Sequence, residues 1–407
     1  MSVRLEVFHT IPENSRAQLA SIVASDASLS GPNDQPYYCI FPGFCDVHVH
    51  FREPGFSYKE TIGTGSLAAA RGGYTTVCTM PNLDPVPDCP DHLKVEMEII
   101  ERDALIHVYP YGAITLGEKG EVTSEMEALA PSVIAFSDDG FGVQSEMKML
   151  EAMVRSKLSG KIIAAHCEDN TLSGNGVVHE GPFSRENGLP GIPSSSEWKQ
   201  VERDLFLAEE TRCPYHICHV STKESVELIR EAKAKGLDVT CETAPHYLLL
   251  DDTMLKDDGA FKMKPPIRSP EDRDALLKGV LDGTIDMIAT DHAPHSSEEK
   301  AKGLAGSAFG ITGLEFAFPL LYTELVRPGV LSLDALLNLM VYNPRKRFSI
   351  PLSEDDYSLW RMDRSFVLQE DLFLSAGRST PFLGRTVFAD CLLTVCGGEA
   401  VYHPRYK

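Results

Sequence analysis

A chain of 407 residues, 43% hydrophobic and 24% charged, has the composition of a globular protein with a substantial core, and room for one large domain plus a small one. A net charge of −21 would repel a phosphate backbone, which argues against nucleic acid as a partner. No apolar run approaches a membrane span, MSVRLEVFHT at the N-terminus lacks a signal-peptide core, and the ten scattered cysteines form no CxxC pair, so reduced thiols and a cytoplasmic setting are expected.

In chain order, the tail 1–43 comes first, and its segment Ser15–Pro36, rich in Ser, Ala and Asp, has weak strand patterning. Short β-branched or apolar runs then predict strands at Phe44–His50, Thr75–Met80, Ile106–Ala113, Val133–Ser137, Ile162–His166, Tyr215–Val220, Asp238–Glu242 and Asp286–Thr290. Helical patterns fall between them at Thr61–Arg71, Pro90–Arg102, Ser145–Lys157, Glu197–Thr211, Lys223–Lys235 and Glu271–Asp282. Strands alternating with helices predict a parallel (β/α)₈ TIM-type barrel, a fold of about 250 residues, here assigned to 44–345. A long polar insert between His166 and Tyr215 suits a loop over the barrel mouth. The tails 1–43 and 346–407 are left to form a small β-rich domain, reduced at its N-terminal part. The competing doubly wound sheet lacks a glycine fingerprint after a first strand.

The most informative stretch is Asp46-Val-His-Val-His50, directly after the apolar run Cys39–Phe44. A strand's side chains alternate, so His48 and His50 point to one side and can grip one metal ion, with Asp46 placed to support them. The spacing alone is weak. Further metal-competent residues recur at predicted strand ends: Asp138, His166, His219 and Asp291. Each has a bland reading by itself: a satisfied core histidine, a turn at Asp138-Asp139-Gly140, a cap at Asp291. In a barrel of this kind the active site is built at the strands' C-terminal ends, and six such residues there by accident are improbable. Four imidazoles and two carboxylates suit zinc or a similar divalent ion.

The order of these residues resembles the amidohydrolase superfamily, and within it the bacterial type I dihydroorotases. The blocks that carry the resemblance are Asp46-Val-His-Val-His-Phe-Arg-Glu-Pro-Gly55, Met80-Pro-Asn82, Phe136-Ser-Asp-Asp-Gly140, His166-Cys-Glu-Asp169, Ile217-Cys-His-Val-Ser-Thr222, Asp291-His-Ala-Pro-His295 and Phe309-Gly-Ile-Thr-Gly-Leu-Glu315. It runs from roughly Phe41 to Asn343, with a C-terminal block at Gly377–Gly384. It implies metal-dependent reversible cyclisation of N-carbamoyl-L-aspartate to L-dihydroorotate, with two zinc ions per chain. His48, His50 and Asp291 would hold one ion and His166 with His219 the other. Asp138 would bridge them where many relatives use a carboxylated lysine, with Asp139 as the fallback. The ions would activate a water near neutral pH, and Asp291 would take its proton and deliver it to the leaving nitrogen.

For the substrate, the resemblance implies a carboxylate clamp of Arg52, Asn82 and His295, with Phe309-Gly310 laying backbone groups against the ring. The bland reading of Arg52 is a surface arginine paired with Glu53. One block departs from the pattern: before Pro265-Pro266 stands Lys264 where relatives commonly carry Asn, so Lys264 either serves an anionic substrate or points to solvent. Two alternatives remain beside dihydroorotase. One is another cyclic amidohydrolase (hydantoinase, dihydropyrimidinase or allantoinase), which by resemblance would lack an arginine after HxHF. The other is a non-catalytic subunit of an aspartate transcarbamoylase assembly, which would have lost metal ligands. The implied partner is the small-molecule substrate; a homodimer and association with aspartate transcarbamoylase are compatible with it.

Overall fold

The apolar run Cys39–Phe44 feeds two different sheets. The computed structural model describes residues 3–29 and 35–404, so part of Ser15–Pro36 lies outside the described residues. Strand β1 (Arg4–Val7) and β2 (Tyr37–Pro42) come first, and at Gly43 the chain turns into β3 (Phe44–Val49). A side chain at Gly43 would collide with the Thr75 side chain, so only glycine allows this close crossing. There follow β4 (Tyr74–Thr79), β5 (His107–Pro110), β6 (Gly112–Ala113), β7 (Phe136–Ser137), β8 (Ile163–Ala165), a small ribbon of β9 (Val178–His179) and β10 (Gly191–Ile192), then β11 (Tyr215–Ile217), β12 (Val239–Thr243) and β13 (Met287–Ile288). The chain ends with β14 (Tyr357–Val367), β15 (Thr386–Cys396) and β16 (Glu399–Tyr402).

Strands β3-β4-β5 and β6-β7-β8-β11-β12-β13 pair in parallel. The ring closes through His50 N–H donating to the His292 carbonyl (2.8 Å). The fold is therefore the expected TIM-type barrel with helices between its strands. The strand expected over Ile106–Ala113 is broken into β5 and β6. Pro110 has no N–H for the ladder, so its carbonyl alone serves Ile134, while Tyr111 donates back to Thr79 and Gly112 across to Ala135. Helices follow the predicted stretches within a residue or two, because polar caps mark their starts: Thr61, Ser145, Thr222 and Ser269 each accept from the first turn.

Inside the barrel, Cys45, Val47, Cys78, Met80, Tyr111, Ala135, Ala164, Met287 and Ala289 fill the lower part, and Phe348 with Ile350 plug its base. His216 is the polar exception there, buried against Phe348 and joined to Glu242 (3.1 Å). The second sheet has the order β1-β2-β14-β15-β16 and takes strands from both chain ends. The segment without strand pattern supplies a helix, Arg16–Ala27, whose Leu19 and Val23 pack on this sheet. All ten cysteines are free, and all but Cys89 are buried. Among the described residues, no helix is long and apolar enough to cross a membrane.

Candidate metal centre

His48 and His50 leave β3 with their rings 5.3 Å apart on the same side. Asp46 braces them from below: its carboxylate accepts from His48 N–H (3.0 Å) and Thr290 N–H (3.0 Å), tying β3 to the end of β13. Each imidazole is then turned by one hydrogen bond. His48 Nδ1 donates to Glu242 Oε1 (2.7 Å) and His50 Nδ1 to Asn82 Oδ1 (2.9 Å), which leaves both Nε2 lone pairs facing the barrel axis. His166 Nδ1 and His219 Nε2 face each other across 2.9 Å. Two ring nitrogens that close need a proton or a cation between them.

At the centre of this ring stands Asp139. Its Oδ1 lies 3.4 Å from His48 Nε2, 3.4 Å from His219 Nε2 and 3.7 Å from His166 Nδ1, and its Oδ2 lies 3.4 Å from His50 Nε2. Asp291 Oδ1 is 3.1 Å from His50 Nε2 and 3.6 Å from His48 Nε2. Here the expectation that Asp138 fills the central position is corrected. Asp138 turns the other way and accepts from Ile114 N–H (2.7 Å), Thr115 N–H (3.0 Å) and the Thr115 hydroxyl. Successive residues at a strand end point to opposite sides, so only one of the two can reach the axis.

The donor set fits a divalent cation. Ligands about 2.0–2.1 Å from a tetrahedral zinc are roughly 3.3 Å from one another, the spacing found here. His48 Nε2 and Asp139 Oδ1 are buried with no hydrogen-bond partner among the described residues, a costly state unless a cation completes them. Burial opposes charge on Asp139, yet the surrounding His48, His219 and His50 outweigh it and hold the carboxyl well below the usual range. Burial also opposes charge on His48, but Asp139 and Glu242 outweigh it, so the site attracts positive charge. By contrast, burial pushes Asp138 up to about 7 despite its hydrogen bonds.

Above the centre opens a cavity of about 440 Å³ lined by His50, Asn82, Asp139, His166 and Asp291. Arg52, buried and with φ of 59°, lies in its wall and makes no ion pair among the described residues. Glu53, the partner in the bland reading, instead accepts from Ile62 N–H and the Ser57 hydroxyl. His295 Nε2 donates to the Phe309 carbonyl (2.7 Å), so the Arg52 guanidinium 3.4 Å away lies beside that nitrogen without bonding it and stays available. Burial and then Arg52 depress His295 to about 3, keeping it neutral.

Phe309 and Gly310 reach the cavity, but Gly310 N–H is bound to the Lys262 carbonyl and its carbonyl to Lys300 Nζ. The Gly310 N–H is therefore engaged, while its carbonyl keeps a second lone pair and both residues stay in the cavity wall where the expectation put them. Lys264 is at the cavity wall, paired with Glu168 (2.6 Å), whose carboxylate also lies 3.4 Å from His166 Nε2. Sequence reasoning missed three residues here. Glu242, the last residue of a predicted strand, carried a signal as a strand-end carboxylate. Lys300, which bonds the carbonyls of Lys262, Ala308 and Gly310, and Glu168 carried none.

A model of the family described as dihydro-orotase-like matches residues 38–225. Dihydroorotase of Fusobacterium nucleatum is 50% identical over 367 residues, 88% of this chain and 86% of that protein. Dihydroorotase of Bacillus cereus is 47% identical over 390 residues, 94% of this chain and 90% of that protein. Among solved structures, L-hydantoinase (dihydropyrimidinase) from Arthrobacter aurescens superposes with a TM-score of 0.80 at 24% identity, over 90% of this chain and 86% of that one. Dihydropyrimidinase from Brevibacillus agri NCHU1002 gives 0.78 at 20% identity, over 92% and 88%. At those identities the two structures speak to the fold alone.

Proposed function

This chain belongs to the dihydroorotase family, and from that premise we propose how its own residues run the reaction. The reaction is the reversible, metal-dependent cyclisation of N-carbamoyl-L-aspartate to L-dihydroorotate in pyrimidine biosynthesis, a cyclic-amide hydrolysis in the opposite direction. The identity to dihydroorotases does not favour the hydantoinase, dihydropyrimidinase or allantoinase alternatives. The observation that carries the reading beyond the family is a buried guanidinium, Arg52, whose Nε donates to the Pro294 carbonyl (3.3 Å) and which makes no ion pair among the described residues, in the wall of a cavity floored by the ring of imidazoles and carboxylates.

In this reading His48, His50 and Asp291 would hold one zinc ion and His166 with His219 a second, with the Asp139 carboxylate between the two sets. Bound metal supplies an activated water and polarises the carbonyl under attack. Asp291, against the His50 ring, takes a proton during ring opening and returns it to the departing nitrogen; in cyclisation it runs the opposite way. Glu242 and Asn82 fix the tautomers of His48 and His50, so that the lone pairs stay directed at the metal. Arg52 receives the substrate carboxylate in a net-acidic protein that otherwise repels anions, and the neutral His295 steadies the Phe309 loop beside it. A homodimer and association with aspartate transcarbamoylase are compatible with this role, to be tested by light scattering of the protein with and without that enzyme. A cytoplasmic location completes the reading.

Replacing Arg52 by Ala is expected to raise KM for L-dihydroorotate about ten- to a hundredfold with a smaller change in kcat, because a charged hydrogen bond is lost from binding. Steady-state kinetics read this directly, and an unchanged KM would remove Arg52 from the clamp. The reading as a whole is tested by incubating zinc-loaded protein with L-dihydroorotate, dihydrouracil, hydantoin and allantoin. Turnover of the carboxylated ring alone is expected. Preferential turnover of an uncharged ring would overturn the substrate assignment while keeping the metal centre.

A further inference from the structure

The turn Thr115–Gly120 borders the cavity of the candidate metal centre through Gly117 and Glu118, and its fixation is elaborate for a surface turn. Asp138 binds Thr115 through both N–H and hydroxyl, Asp88 accepts from Gly117 N–H (2.8 Å), and Glu118 N–H donates to the Thr115 carbonyl (3.0 Å). The product of this fixation is the placement of Glu118. Glu118 lines the same cavity as Arg52 and Asp139, it is only 6% exposed, and its Oε1 is buried without a hydrogen-bond partner among the described residues. Glu118 also holds a left-handed backbone (φ 55°), directly after Gly117 (φ 60°). Seven non-glycine residues among those described have positive φ, and Arg52, His219 and Asp291 of the site are three of them. Glu118 is a fourth, and such strain is retained where the surroundings impose it for a purpose.

We propose that Glu118 is a substrate-binding residue that pairs with the ureido edge of N-carbamoyl-L-aspartate and of the ring formed from it. The inference rests on the dihydroorotase reading. Arg52 answers the carboxylate, and Lys264 is engaged by Glu168, so the N–H and C=O of the ureido group still need partners in the cavity wall. A carboxyl group in its neutral form offers one acceptor and one donor side by side, the complement of that edge. Burial, followed by the nearby Asp138, Asp139 and Asp88, pushes the Glu118 carboxyl well above the usual range, which favours the neutral form and spares an anionic substrate a repulsion.

The test compares two ligands that differ in the ureido group. Binding of N-carbamoyl-L-aspartate and of succinate, which keeps both carboxylates but has no ureido group, is measured by calorimetry on zinc-loaded wild type, E118A and E118Q. E118A should bind N-carbamoyl-L-aspartate about tenfold more weakly and succinate unchanged. E118Q, whose amide also offers donor and acceptor, should stay within about threefold of wild type for both ligands. A loss shared equally by both ligands, or no loss in E118A, would overturn the proposal, since a merely structural role does not distinguish them. E118G guards against misfolding: glycine adopts the left-handed backbone freely, so this variant should melt no lower than wild type yet bind as E118A does. A wild type that neither turns over L-dihydroorotate nor prefers N-carbamoyl-L-aspartate to succinate would overturn the functional reading itself, and this inference with it.

Discussion

Changing Asp291 to Asn is expected to lower kcat for L-dihydroorotate by about 10²–10⁴-fold while leaving the fold intact and much of the metal bound. The physical basis is the difference between charge and shape. Asn fills the same space on the same left-handed backbone and can still face His50 Nε2, 3.1 Å from the native oxygen. It cannot take up a proton at neutral pH, so the transfer from attacking water to leaving nitrogen loses its carrier. Burial works against charge on Asp291, but contacts with His50 and His48 outweigh it and hold the carboxyl below its usual range, so it is ready as a base across the neutral range. Steady-state rates paired with metal content distinguish this from simple metal loss. A kcat within about tenfold of wild type would take Asp291 out of the acid–base role.

The second expectation opposes two adjacent residues. Asp139→Asn should strip the centre of metal and drop activity by about a thousandfold or more, because it removes the one carboxylate among the described residues that faces all four imidazoles. Asp138→Asn should keep its metal. Its carboxylate serves the backbone of Ile114 and Thr115, so the expected cost is about 1–3 kcal/mol of stability and a moderate rise in KM through the loosened turn. Metal analysis of both variants after dialysis, alongside thermal melting, checks the contrast. The reverse pattern would restore Asp138 to the centre.

That pair also marks where sequence stops being informative. The predicted strand Val133–Ser137 ends on the residue that closes β7, yet knowing the end does not say which of the next two side chains turns to the axis. The turn there is set by Thr115, a partner 23 positions away in sequence. His48, His50, His166, His219 and Asp291 were legible because each sits at or just past a strand end, where this fold collects its chemistry. Glu118 was not legible, since a glutamate in a polar turn looks like any solvated side chain until the fold buries it. Lys300 was hidden for the same reason: a lysine in a charged stretch gives no sign that three carbonyls will surround it. Helix limits were readable from their caps, whereas the break at Pro110 needed the knowledge that the strand's two halves serve different neighbours.

The centre itself is tested most directly by anomalous diffraction from crystals of the zinc-loaded protein. The account predicts two peaks about 3.5–4 Å apart. His48, His50 and Asp291 should surround one, His166 and His219 the other, and the Asp139 carboxylate should contact both. A single peak, or two peaks joined by Asp138 with Asp139 turned away, would contradict it.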